Sequence, residues 1–210
     1  MPLAINHLTT ISDTTEAFAV AILALVAASA TWLILAHVVA RGVDPIRDAV
    51  SDFGAREHPW YYRMNAIWLG LAGLLTAVML ADALFPKPTL TILALLVYAA
   101  ARWAITIYPT DLPGEDETSV GSSHTVLAAV AFAAISVAGL AFSFTVAADD
   151  PFWRDYSALF AGLGWLLVGL AIATGVARLR VSAIFGLVER LLYLAIYAWQ
   201  VAVALVILLG

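Results

Sequence analysis

Long, nearly continuous apolar runs alternate along this chain with short polar interruptions. A helix needs about 20 predominantly apolar residues to cross about 30 Å of hydrocarbon, and in lipid every backbone amide and carbonyl must find its partner internally. Six runs meet that requirement: 17–40, 61–85, 89–108, 126–147, 156–177 and 183–209. The pattern predicts an all-α polytopic membrane protein, a six-transmembrane-helix bundle forming one domain over residues 1–210.

The interruptions divide into two kinds. PKPT at 86–89 and ADDPFWRD at 148–155 are short, whereas 41–60 and 108–124 are long and polar. Cytoplasmic loops are enriched in Lys and Arg. Connections one, three and five gather Arg41, Arg47, Arg56, Arg63, Arg178, Arg180 and Arg190, against Lys87 and Arg154 on the other side. This predicts loops one, three and five in the cytoplasm of a multi-pass cell (inner) membrane protein, with both termini on the non-cytoplasmic side. Loop three, YPTDLPGEDETSVGSSH, carries Asp111, Glu115, Asp116 and Glu117 and is expected to dock against its basic neighbours.

Composition agrees with the pattern. The chain is 63% hydrophobic and only 12% charged, against about 25% charged in soluble domains. The lack of cysteine excludes disulfides and thiolate chemistry, and the dispersed Lys and Arg at net charge -5 argue against a nucleic-acid partner. The first sixteen residues carry no Lys or Arg, unlike the start of a cleavable signal peptide, so the first apolar run is expected to be retained. Small residues in the fourth run (Ala131, Ala134, Ser136, Gly139) and glycines in the fifth (Gly162, Gly164, Gly169) predict a tightly packed helix pair.

The candidate chemistry gathers on the loop-one and loop-three side. Asp44, Pro45 and Gly54 predict a short interfacial helix that carries Ser51 and Asp52, either as its closing turn or as ligand contacts. Arg102, inside the third run, needs a partner: Asp52, Asp111, Glu189 or a lipid phosphate, unless it snorkels to water. Glu189, Tyr193, Tyr197 and Gln200 fall within one quadrant of a helix. They predict an inward polar stripe, either interhelical hydrogen bonds or a cavity lining. Asn65 reads the same way. The ligand-binding candidates are therefore Asp52, Asn65, Arg102, Asp111, Glu189, Tyr193 and Tyr197.

Two chemistries have residues but no motif. His37 and His124 are candidate haem or metal ligands, yet no ligand spacing accompanies them, so no metal or other cofactor is expected. Ser51, His124 and Asp111 are candidates for a nucleophilic triad without a GxSxG elbow.

VSDFGA at 50–55, Asn65, YPTDLPG at 108–114 and His124 together resemble the bacterial and archaeal membrane family known as domain of unknown function 998. The resemblance spans nearly the whole chain, and Ser51, Asp52, Asn65, Asp111 and His124 match its motif positions. It implies a six-helix bundle and, through similarity to DRAM-like and GPI-lipid-remodelling membrane proteins, lipid handling; no activity comes with it. The leading expectation is binding or processing of a lipid or other small amphiphile at the cytoplasmic leaflet, with Arg102 on an anionic head and loop three as a lid. The alternative is a noncatalytic accessory subunit whose polar face docks a protein partner. A small transporter is a third reading, disfavoured because no inverted repeat or broken pair of spans is visible.

Overall fold

The computed structural model describes residues 8–112, 114 and 116–210. Among them are six α-helices: α1 Asp13–Val39, α2 Trp60–Ala83, α3 Thr89–Ala104, α4 Ser119–Asp149, α5 Ser157–Arg180 and α6 Phe185–Leu209. All but α3 are long and apolar enough to cross a membrane. Large apolar side chains stand exposed on the outside of the helices, Ile34, Leu93, Val126, Ile172 and Leu194 among them. A water-facing surface would not carry apolar exposure on this scale. The chain is an all-α polytopic membrane protein.

Neighbours in sequence are neighbours in space, and α6 returns to pack on α1, so the helices close into a ring; α2 also touches α6 across it. Their boundaries follow local chemistry. Ser12 caps α1, its Oγ accepting from the Thr15 amide at 3.2 Å, and Thr118 caps α4 through the Gly121 amide at 3.0 Å. That second cap starts α4 at Ser119, seven residues before the apolar run predicted from 126, because a polar first turn can be helical without being apolar. The third helix ends earlier than expected, at Ala104 rather than 108. Its sixteen residues span about 24 Å.

One end of the ring is closed by a two-residue antiparallel pairing of β1 Leu8–Thr9 with β2 Leu84–Phe85. There Thr9 donates to Asp150 Oδ2 at 2.7 Å and accepts from Trp153 Nε1 at 2.9 Å. Trp153, Phe142, Phe160 and Trp199 pack edge-to-face beneath it. Loops one, three and five gather at the opposite end.

Loop one carries Ser51 and Asp52 on a short helix, as expected, but that helix is 3-10 and begins at Val50 rather than after Asp44. Asp44 makes a local turn, accepting from the Ile46 amide at 2.9 Å, and the chain then forms a 3-10 helix at Val50–Ala55. The turn is tied to the start of α6. The Leu187 amide donates to Ile46 O at 3.0 Å, Arg190 Nη1 to Asp48 O at 2.8 Å, and the Val50 amide to Glu189 Oε2 at 2.6 Å. A Cβ at Gly186 would collide with Asp48 O, so only glycine admits this close approach.

Candidate functional site

The centre of the ring is polar. Arg102, 1% exposed, donates from Nη1 to Tyr193 Oη at 2.8 Å and from Nη2 to Asn65 Oδ1 at 3.0 Å. Its guanidinium carbon also lies 5.2 Å from the Tyr193 ring centroid. Asn65 Nδ2 in turn donates to Ser29 Oγ at 2.8 Å and Tyr197 Oη at 2.7 Å, while Ser29 Oγ donates to Asn65 O at 3.0 Å. One network thus joins α1, α2, α3 and α6. The expected carboxylate partners of Arg102 are engaged elsewhere: Glu189 accepts from Val50, Asp52 from the Ala49 amide at 3.1 Å, and Asp111 from Thr118. Arg102 forms no ion pair among the described residues. Desolvating an ion pair is costly, whereas amide and phenol oxygens accept from the guanidinium without a second buried charge.

Asp111 is likewise consumed within its loop. Its carboxylate accepts from the Thr118 amide at 2.9 Å and the Thr118 hydroxyl at 2.7 Å. These hydrogen bonds hold its carboxyl below the usual range. A Cβ at Gly121 would run into this carboxylate. Loop three lies across a cavity from Arg47 and Arg178 without forming an ion pair to them among the described residues, whose ion pairs are Arg47–Asp44 and Arg56–Asp48, both within loop one. Glu115 lies outside the described residues.

The two candidate histidines are separated. His37 donates through Nδ1 to Leu33 O at 2.7 Å and accepts from Arg190 Nε at Nε2, 2.8 Å, so both ring nitrogens are engaged. It lines an apolar recess between α1 and α6, while His124 lines a groove between α4 and α5. His124 donates through Nδ1 to Tyr108 O at 2.6 Å, which leaves Nε2 as an acceptor. That nitrogen is buried and without a hydrogen-bond partner. No group of three His, Asp or Glu converges as metal ligands among the described residues.

The groove is built by helix geometry. α4 and α5 approach closely at two glycines: a Cβ on Gly164 would lie 3.1 Å from Gly139 O and 2.9 Å from Ser143 Oγ. Ser143 Oγ bridges the pair, donating within 2.7 Å of both Gly139 O and Phe160 O. Toward loops one and three, the small residues Ala128, Ala129 and Ala133 face Ala171 and Gly175 and leave a cavity of about 440 Å³. Exposed Val137 and Ile172 border it, so it opens sideways onto the apolar outer surface.

Polar residues of the groove concentrate at its loop end, where Ser51, His124, Thr125, Arg178 and Glu189 meet. Ser51 Oγ makes no hydrogen bond among the described residues, and it stands within the 3-10 helix that Glu189 anchors. From there Thr125, Arg178 and Phe185 are shared with a second cavity of about 410 Å³, a polar vestibule walled by Asp52, Thr110, Asp111 and Glu117. Arg178 donates to Thr125 Oγ1 at 3.1 Å and lies 5.7 Å from the Phe185 ring centroid. It has no carboxylate partner among the described residues. Burial pushes the Asp52 carboxyl up to about 6, opposed by the Ala49 amide and by Arg56 and Arg178, and reinforced by Asp48.

The structure thus brings Ser51, His124 and Glu189 to the groove, puts Asp52 and Asp111 in the vestibule, and leaves Asn65, Arg102, Tyr193 and Tyr197 in the interior network. Sequence reasoning counted Arg178 only toward orientation and missed Thr125 and Phe185. Arg178 and Thr125 stand on different helices, 53 residues apart, and no periodicity within either helix reports that pairing.

These features define an integral membrane protein with a polar bundle centre and an apolar lateral groove beside a vestibule lined by charged side chains. The chain belongs to the DUF998 family of proteins of unknown function, whose model matches residues 18–206. No curated protein and no solved structure matches the chain.

Proposed function

We propose that this protein spans the cell membrane six times, with loops one, three and five in the cytoplasm, and binds or processes an amphiphile taken from that leaflet. The tail lies in the α4–α5 groove and the head in the vestibule. The observation that carries this reading is the segregation of the cavity: apolar along its length, polar at one end, and adjoined there, across Thr125, Arg178 and Phe185, by a second space lined by charged side chains. Each cavity falls within the about 300–1,000 Å³ typical of small-molecule sites. An amphiphile has the same division of chemistry and reaches a lateral opening directly from the bilayer. The head-group cation in this reading is Arg178, because Arg102 is engaged by Tyr193 and Asn65.

Native mass spectrometry of the protein in mild detergent tests this. The expected result is a stoichiometric adduct of lipid mass that disappears in Ala133→Trp, which fills the groove, while the thermal midpoint stays unchanged. A wild-type chain that flies bare, or an adduct indifferent to Ala133→Trp, overturns the reading.

A further inference from the structure

A cavity of about 750 Å³, larger than the groove or the vestibule and sharing no residue with either, lies between the end of α1, the 3-10 helix of loop one and the start of α2. Its lining divides between an apolar part, Phe53 and the end of α1, and a polar part made of Arg41, Arg56, Glu57, His58 and Tyr61. Arg41 is exposed and forms neither a hydrogen bond nor an ion pair among the described residues. Arg56 gives Nη2 to Asp48 at 3.4 Å, and its Nη1 carries no bond among the described residues. The wall thus holds guanidinium donors that the fold leaves unused, with exposed Glu57 as the one carboxylate among the lining residues.

An aromatic cluster marks the depth of this cavity. Tyr61, which lines it, stacks on Trp60 with ring centroids 4.1 Å apart, and Trp60 meets Trp32 of α1 edge-to-face at 5.0 Å. Trp and Tyr rings gather at the level of lipid head groups. Trp32 stands seven positions before Val39 on α1, about 10 Å farther from the loop end. The cavity therefore lies on the loop side of the aromatic cluster, at head-group depth.

Independently of the groove, we propose that this cavity is a second site, holding the head group of an anionic phospholipid with its phosphate on Arg41 and Arg56 and its glycerol backbone against Tyr61. A guanidinium fork takes two phosphate oxygens at once, and basic recesses between membrane helices at this depth suit phosphate-bearing heads. A zwitterionic head would bring an ammonium beside the two guanidiniums. A soluble phosphate ester shares the phosphate chemistry; the aromatic cluster and the apolar end of α1 favour the lipid as its source. The proposal needs α1 and α2 to cross the membrane, for which both are long and apolar enough, and it does not need the groove to be occupied.

Arg41 and Glu57 are exposed, so lipid at this site exchanges with detergent and is read by titration, separately from an adduct that the groove carries through purification. The full chain is titrated with dioleoyl phosphatidylglycerol and dioleoyl phosphatidylcholine and followed by native mass spectrometry. Phosphatidylglycerol is expected to bind about tenfold tighter, since one charge-assisted contact is worth about that factor. Arg41→Gln erases the preference without moving the lipid-free thermal midpoint, because Arg41 holds no part of the fold. Arg63→Gln, an exposed cation of α2 outside the cavity lining, leaves the preference intact, and so does Ala133→Trp, which fills the groove. Equal binding of the two lipids overturns the site. So does an equal loss in Arg41→Gln and Arg63→Gln, which would make the effect one of surface charge. Loss of the preference in Ala133→Trp assigns the lipid to the groove and overturns the second site. Glycerol 3-phosphate that displaces phosphatidylglycerol as well as unlabelled lipid does overturns the lipid as the source of the phosphate.

Discussion

Arg102 and Tyr193, 91 positions apart, meet at 2.8 Å in the middle of the helix ring, and the same tyrosine offers its ring face to the guanidinium at 5.2 Å. A buried cation is thereby held by a phenol, an amide and a π-face in place of a carboxylate. The pair ties α3 to α6, helices that no loop connects.

Arg102→Ala is expected to destabilise the bundle by about 2–3 kcal/mol, the cost of leaving Asn65 and Tyr193 without their donor. Tyr193→Phe removes one hydrogen bond but keeps the ring, and is expected to cost about 1 kcal/mol, in line with interhelical bonds in lipid. Unfolding in detergent measures both. Equal losses in the two variants would mean that the phenol alone, and not the wider network, holds the arginine.

The α4–α5 crossing depends on glycine at two positions. Gly164→Ala forces a methyl against Gly139 O and Ser143 Oγ and is expected to cost about 1–3 kcal/mol by overpacking. Gly162→Ala, on the same helix with open space around it, serves as the comparison and is expected to be neutral or slightly stabilising. Thermal midpoints that fall equally for both would refute the close approach.

Asp52 makes stability depend on pH with an inverted sign for a carboxylate. Its folded pKa, about 6, lies above the reference 3.8, so the native state takes up a proton before the unfolded chain does. The buried charge therefore destabilises the fold most above pH 6, and this component of stability rises as pH falls from about 7 toward 4. Asp52→Asn, in which the side-chain oxygen still accepts from the Ala49 amide, is expected to raise stability at pH 8 by on the order of 1 kcal/mol, discounted for partial solvent screening, and to change it little at pH 4. Unfolding midpoints of the lipid-free protein at the two pH values decide this.

Gly121→Ala is expected to expel the Asp111 carboxylate from Thr118 and speed hydrogen exchange at the Thr118 amide several-fold. The Asp111 carboxyl sits below its usual range because Thr118 binds the charged form. The same loosening should appear in the unmodified protein as pH falls through that lowered value. Exchange that is unchanged in Gly121→Ala would show that the loop turn does not depend on Asp111.

Much of the fold was legible. Each apolar run coincides with an α-helix among the described residues, and five of these are long and apolar enough to cross a membrane, because a spanning helix must be apolar whatever it packs against. Thr118 and Asp111 were harder to read: their bonding starts α4 early, and a polar first turn leaves no mark in hydropathy. The inward direction of Glu189, Tyr193, Tyr197 and Gln200 was legible from spacing alone, since polar groups on one helix face avoid lipid. Their partners were not. Arg102 was matched to carboxylates by charge, and the structure gives it neutral oxygens: Asp52 and Asp111 are bound to backbone amides of their own loops, and Glu189 of α6 to the Val50 amide of loop one.

The sequence by itself determined that this is a polytopic membrane protein, where its helices lie, and which residues are too polar to face lipid. These follow from the solvent: hydrocarbon rejects polar groups one helix at a time, and each helix reports its own answer. The tertiary structure alone decided that α4 and α5 touch at Gly139 and Gly164 and part below them, and that Arg178 rather than Arg102 faces the resulting groove. Those outcomes depend on contacts between distant segments, where a backbone separation of a few ångströms makes the difference between a packed seam and a cavity.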